Sequence, residues 1–206
     1  MLIGEGHDWR EGLDSAWDRL GTLIPDEVCR NTLADFDATA GHYVLPLFNE
    51  KIFISSEERT ILGNSGVAEI ALNDLPHYSF LSSLWYLIRA RDVCPSGTLV
   101  NPGEVSGGLI FNMGDHQLPL DMIINKYGQD TEKLIQKGIE LGGESLDFAD
   151  AAVRLFPFPK VPVVVLVWGQ DDEFPARADI LFDSTCTDHM PTDILWSTAM
   201  MSILVM

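Results

Sequence analysis

Val161-Pro162-Val163-Val164-Val165-Leu166-Val167-Trp168 decides the fold of this chain. An unbroken run of β-branched and apolar residues of this length reads as a central strand, buried rather than alternating. It is too short for a membrane helix and is interrupted by Pro162. Moving outward, residues 178–182 predict a second strand, and the partly alternating residues 146–156 a third. Residues 193–205 predict a closing helix with Thr192 as its N-cap.

Toward the N-terminus, Trp9, Leu13, Ala16, Trp17 and Leu20 recur at helical spacing, so residues 8–21 predict an amphipathic helix. Pro25 followed by Asp26 and Glu27 opens a second helix running to about residue 34. Together they predict an N-terminal helical hairpin over residues 1–34. Residues 43–45, 51–54 and 59–62 are short β-type runs separated by turn residues, the pattern of an antiparallel meander. Residues 78–91 return to helix, with Tyr78, Leu81, Leu84, Trp85 and Ile88 forming an apolar stripe. Cys94-Pro95-Ser96-Gly97 breaks it. Residues 95–116 read as an ordered loop with short extended pieces, and residues 117–127 and 130–141 as two helices, the second stopped by Gly142-Gly143.

Helices and strands are thus grouped rather than strictly alternating. The expected class is α+β: a mainly antiparallel sheet packed with helices, in a single domain over residues 1–206 whose body spans 35–206. A weak echo hints at internal duplication. Phe36-Asp37-Ala38-Thr39 resembles Phe182-Asp183-Ser184-Thr185, and His42 and His189 follow at nearly equal offsets.

The charge balance narrows the choice of partners. Thirteen Lys and Arg stand against 31 Asp and Glu, a formal net charge of -18. That field repels a phosphate backbone and an anionic membrane surface, so neither nucleic acid nor membrane is expected. A small molecule, a protein or a second copy remains open. Cys29, Cys94 and Cys186 are sparse and far apart, with no CxxC pair, so there is no local iron-sulfur or zinc motif. Sparse cysteines fit a reducing compartment, and no basic-then-apolar leader opens the chain. A cytoplasmic location is therefore expected.

Pro162 to Trp168, continued by Gly169-Gln170-Asp171-Asp172-Glu173-Phe174-Pro175 and by Ile180-Leu181-Phe182-Asp183, resembles the signature of the domain of unknown function 3786 family. Shorter matching pieces lie upstream, among them the Leu-Trp-Tyr-Leu helix within residues 82–90, Gly114-Asp115-His116-Gln117-Leu118-Pro119, Leu141-Gly142-Gly143 and Asp150-Ala151-Ala152. The resemblance covers about residues 30–200. It implies a setting in anaerobic bacteria and archaea, and in corrinoid or one-carbon metabolism. Some members carry an added cysteine-rich iron-sulfur segment, which this chain lacks. The resemblance brings no catalytic residues with it.

Candidate site residues are few. Asp183, Cys186, Asp188 and His189 follow a strand end, where functional groups often gather. A thiolate, an imidazole and carboxylates suit a transition metal or nucleophilic chemistry, with Cys186 and His189 as the candidate metal ligands. Equally, Asp183 suits a turn held by its own side chain. His42 poses the same choice near the first strand, and His116 lies in a Gly-rich stretch where backbone N–H groups can approach a ligand. Trp168, with Trp85, Tyr86, Phe156 and Phe158, either lines an apolar pocket or belongs to the core. Asp171-Asp172-Glu173 reads as a solvated turn between strands. No known catalytic motif is present. The expectation is a non-catalytic domain that binds a small molecule or cofactor. The alternatives are a metal-assisted enzyme built on His116, Cys186, Asp188 and His189, and an interaction module acting through the apolar tail 196–206.

Overall fold

Val161–Trp168 forms the middle strand of a five-stranded antiparallel sheet in the computed structural model, which describes residues 9–63, 66–112 and 114–206. In chain order, α1 (Trp9–Gly21) and α2 (Pro25–Thr32) lead into β1 (Asp35–Asp37), β2 (His42–Leu47), β3 (Glu50–Ser55) and β4 (Thr60–Leu62). These strands pair in sequence order as a four-stranded meander. Then come α3 (Gly66–Asn73) and α4 (Pro76–Arg89). A stretch of short 3-10 turns follows, carrying β5 (Leu99–Val100). The last third contains α5 (Leu120–Tyr127), α6 (Glu132–Glu140), β6 (Glu144–Leu146), β7 (Ala151–Phe158), β8 (Val161–Trp168), β9 (Arg177–Asp183), α7 (Cys186–His189) and α8 (Thr192–Val205). The second sheet has the order β5-β9-β8-β7-β6.

The α+β class holds, but with two sheets rather than one. β2 lies against β7, and one apolar core joins both sheets. Leu45 and Ile54 of the meander share it with Val153, Val163 and Phe182 of the larger sheet, Leu84 of α4 and Leu195 of α8. Burying each such side chain contributes about 1.5–3 kcal/mol. α8 is apolar on every side and ten of its residues are buried, as a helix inside a core must be. The tail is therefore core and not an exposed contact surface.

α1 and α2, joined by a short turn, both pack on α4, which supplies the apolar surface they need. Several local expectations are corrected. Residue 8 of the expected first helix lies outside the described residues. The single strand expected over 146–156 is split into β6 and β7 by a bend at 147–150. α3 and β1 carry too little periodicity to stand out and were not expected. Thr192 is the first residue of α8, not its cap: Pro191 holds the cap position, and the Thr192 hydroxyl donates to the Ser106 carbonyl at 2.6 Å.

The internal echo reduces to a shared turn. Asp37 Oδ1 accepts the N–H groups of Thr39 (2.9 Å) and Ala40 (3.1 Å), and Asp183 Oδ1 accepts that of Thr185 (3.0 Å). Both are aspartates closing a turn at a strand end. Yet β1 is an edge strand and β9 an inner one, in sheets of different size and order.

Candidate functional site

The β9–α7 corner is built around the Asp183 carboxylate, which is buried. Its Oδ1 accepts from Ser96 N–H (3.0 Å), Ser96 Oγ (3.2 Å), Thr185 N–H (3.0 Å) and Thr185 Oγ1 (2.7 Å), and its Oδ2 from Gly97 N–H (2.7 Å). Gly97 adopts φ 78°, a left-handed conformation that suits glycine and aims its N–H at the carboxylate. Burial pushes the carboxyl's pKa up, but the hydrogen bonds from Thr185, Ser96 and Gly97 outweigh it and hold the group below its ordinary value. With its oxygens committed, Asp183 ties the Ser96-Gly97 turn to β9.

Cys186 and His189 sit inside this corner. Cys186 is fully buried, and burial, reinforced by Asp183 and Asp188, pushes its thiol up to about 12. It is a neutral thiol at pH 7, and only the thiolate attacks or ligates. His189 is also fully buried. Its Nδ1 accepts the Arg91 N–H at 3.5 Å, and its Nε2 has no partner. Burial first and the Lys160 ammonium second hold it below the ordinary histidine value. Asp188 points outward to Arg91 at 3.4 Å. Native labelling with an uncharged maleimide should therefore modify exposed Cys94 first, half-buried Cys29 more slowly, and Cys186 only after unfolding; mass spectrometry of the tryptic peptides reads the order.

Lys160, in the turn between β7 and β8, is only 2% exposed. Its Nζ donates to the Arg91 carbonyl at 2.9 Å and lies 3.6 Å from Asp92 Oδ1. Its backbone N–H donates to the Tyr86 hydroxyl (3.2 Å), which donates to the Thr32 carbonyl (2.8 Å). Tyr86 stacks on Phe158 with ring centroids 4.9 Å apart. These two rings are core. Trp85 lies apart, under the Arg19 guanidinium, and Phe156 lines a separate hollow with Leu33 and Pro46. Of the two readings left open for these aromatics, Tyr86 and Phe158 take the core one, and the five do not converge on one pocket.

The other candidates are dispersed. His42 sits half-buried on β2 with its ring edge-on to Phe53. His116 is exposed and packs on Trp196, with ring centroids 4.9 Å apart. Among the described residues, no three His, Cys, Asp or Glu side chains are grouped to hold a metal ion.

Trp168 stands at a different place, the end of β8. In the β8–β9 register Trp168 pairs with Arg177, and the Arg177 guanidinium lies 4.1 Å from the indole centroid. Around them Asp150, Gly169, Asp171, exposed Phe174, Pro175 and Ala176 complete a cleft of about 560 Å³. Asp150 Oδ2 accepts the Gly169 N–H at 2.8 Å, and Asp171 Oδ1 accepts those of Glu173 (2.8 Å) and Phe174 (2.6 Å). These bonds shape the wall. The acidic run 171–173 is thus an exposed turn between β8 and β9. Two smaller hollows flank the Asn49–Gly142 contact, where Asn49 Nδ2 donates to the Gly142 carbonyl at 2.5 Å. The Trp168 cleft is larger than either and combines an indole face with a cation.

Sequence reasoning named Trp168 but missed Arg177 and Phe174 as its companions. The available signal was hairpin register: two strands joined by a turn bring side chains from their facing ends together.

Residues 25–204 match the family model described as Domain of unknown function (DUF3786). Comparison with proteins of curated function and with solved structures found no match.

Proposed function

Because the chain belongs to the DUF3786 family, which brings no assigned chemistry, we propose a function from its own geometry: a non-catalytic domain that binds a planar small molecule in the Trp168 cleft. The carrying observation is the Trp168–Arg177 pair, a flat indole with a guanidinium 4.1 Å from its centroid, beside exposed Phe174. A volume of about 560 Å³ suits a ligand of drug-like size. Protonated, sealed Cys186 and buried His189 support a binding role over a reaction centre. The family setting adds a finer reading, a cofactor or metabolite of anaerobic corrinoid or one-carbon metabolism, handled in the cytoplasm. The net charge of -18 favours ligands that are not polyanions.

Calorimetry and tryptophan fluorescence with cobalamin, haem and a panel of nucleosides and flavins test this. One compound is expected to bind, and Trp168→Ala to weaken it at least about tenfold through lost stacking. Absence of binding across the panel, or affinity indifferent to Trp168, sinks the reading.

A further inference from the structure

We infer that His189 is an acid-sensitive latch: on taking up a proton it releases the Arg91 backbone, opens the β9–α7 corner and uncovers Cys186. The latch works through one peptide segment. Arg91 follows α4, and its backbone groups are held by two buried side chains. The His189 ring accepts the Arg91 N–H at Nδ1 (3.5 Å), and the Lys160 ammonium donates to the Arg91 carbonyl (2.9 Å). His189 is fully buried, and among the described residues its Nε2 has no partner. Acceptance at Nδ1 places the proton of the neutral ring on Nε2. A second proton can go only to Nδ1, the atom that holds Arg91. Protonation therefore strands the Arg91 N–H and buries an imidazolium beside the Lys160 ammonium.

The surrounding charges do not compensate. Asp183 of β9 is committed to Ser96, Gly97 and Thr185, and Asp188 of α7 points outward to the Arg91 guanidinium. Lys160, in the β7–β8 turn, and Arg91, after α4, both repel an imidazolium. Asp92 lies 3.6 Å from Lys160 Nζ but is exposed to solvent. Of the other elements packed on α7, β8 carries no ionisable residue, and α4 and α8 carry only His77, Arg89 and Asp193, all exposed. Burial, Lys160 and Arg91 outweigh the two carboxylates and hold the folded histidine below its ordinary value of about 6.5. Neutral His189 thus stabilises the corner fully above about pH 6.5, and that contribution is lost as pH falls toward the folded value. One proton taken up on opening favours the open corner by up to about tenfold per pH unit. α7 is only four residues long, so it can open without disturbing either sheet.

Labelling of the full chain with dithiodipyridine, a disulfide that reacts with thiols in mild acid, tests the inference. Mass spectrometry reads the rate at Cys186 against that at exposed Cys94 of the same molecule, which cancels the reagent's own pH dependence. The ratio is expected to rise about tenfold from pH 7.5 to pH 5, with an unchanged circular dichroism spectrum. His189→Gln, neutral throughout and still offering Arg91 an oxygen acceptor, is expected to give a flat ratio. Should that variant not fold, the ring-nitrogen NMR spectrum of wild type decides: His189 is expected as the Nε2–H tautomer at pH 7.5, taking up its proton over the range in which the ratio rises. A flat ratio in wild type, an equal rise in His189→Gln, a charged His189 at pH 7.5, or proton uptake that leaves the ratio unmoved overturns it. The corner lies at the opposite end of β9 from Arg177, so failure here leaves the ligand reading of the Trp168 cleft standing, and the reverse also holds.

Discussion

Asp183→Ala is expected to lower the unfolding free energy by about 3 kcal/mol, read from urea denaturation followed by circular dichroism. The substitution removes one buried carboxylate but strands donors from Ser96, Gly97 and Thr185 together. Hydrogen bonds to a charged acceptor are each worth about 1.5–3 kcal/mol. Access of water to the exposed Ser96-Gly97 turn keeps the total well below their sum. Asp183→Asn retains one acceptor oxygen and should lose about half as much. The effect depends on pH. Because the folded carboxyl sits below its ordinary value, its stabilisation is fully present above the unfolded pKa of about 3.9 and is lost as pH falls through the folded value. The gap between wild type and Asp183→Asn should therefore narrow on acidification. A gap constant from pH 7 to pH 2 would mean that the carboxylate's charge plays no part in holding the corner.

Gly138→Leu is expected to destabilise the fold by about 3 kcal/mol, through overpacking. A Cβ at Gly138 would lie 2.6–2.9 Å from the side-chain carbons of Val153, so any side chain pushes α6 off β7. The strand cannot retreat, since Val153 is fully buried in the core that joins both sheets. Higher helix propensity returns only up to about 1 kcal/mol, so the steric effect wins. Gly21 is the control. A Cβ there meets nothing within 4 Å, and Gly21→Ala at the end of α1 should leave stability unchanged or raise it by up to about 1 kcal/mol. Equal thermal midpoints for the Gly138 and Gly21 variants would remove the close-approach explanation.

The Asp183 corner and the Trp168 cleft differ in how far the sequence announces them. Phe-Asp-Ser-Thr after a strand spells a turn closed by its own aspartate, and that is what forms. The partners at Ser96 and Gly97 lie far back in the chain, behind a breaker whose destination the sequence does not state. Cys186 and His189 looked like chemistry because their types and spacing suited it. Burial of α7 beneath the corner is what leaves the thiol protonated. The burial of Lys160 has no local signal: it comes from the packing of Tyr86 and the Arg91 carbonyl over the β7–β8 hairpin.

Local pattern, acting within a few residues, was enough to settle the α+β class, the central place of β8, most helices of the chain and its net negative charge. Those properties follow from periodicity, turn chemistry and composition, none of which needs a distant partner. Long-range pairing decided the rest: the division into two sheets, the meeting of Trp168 with Arg177, the sealing of Cys186 and His189, and the division of β8 between two apolar clusters. An apolar strand specifies that both its faces seek cover. Only the tertiary structure assigns Val161, Val163, Val165 and Val167 to the main core, and Val164 and Leu166 to a second cluster of strand residues.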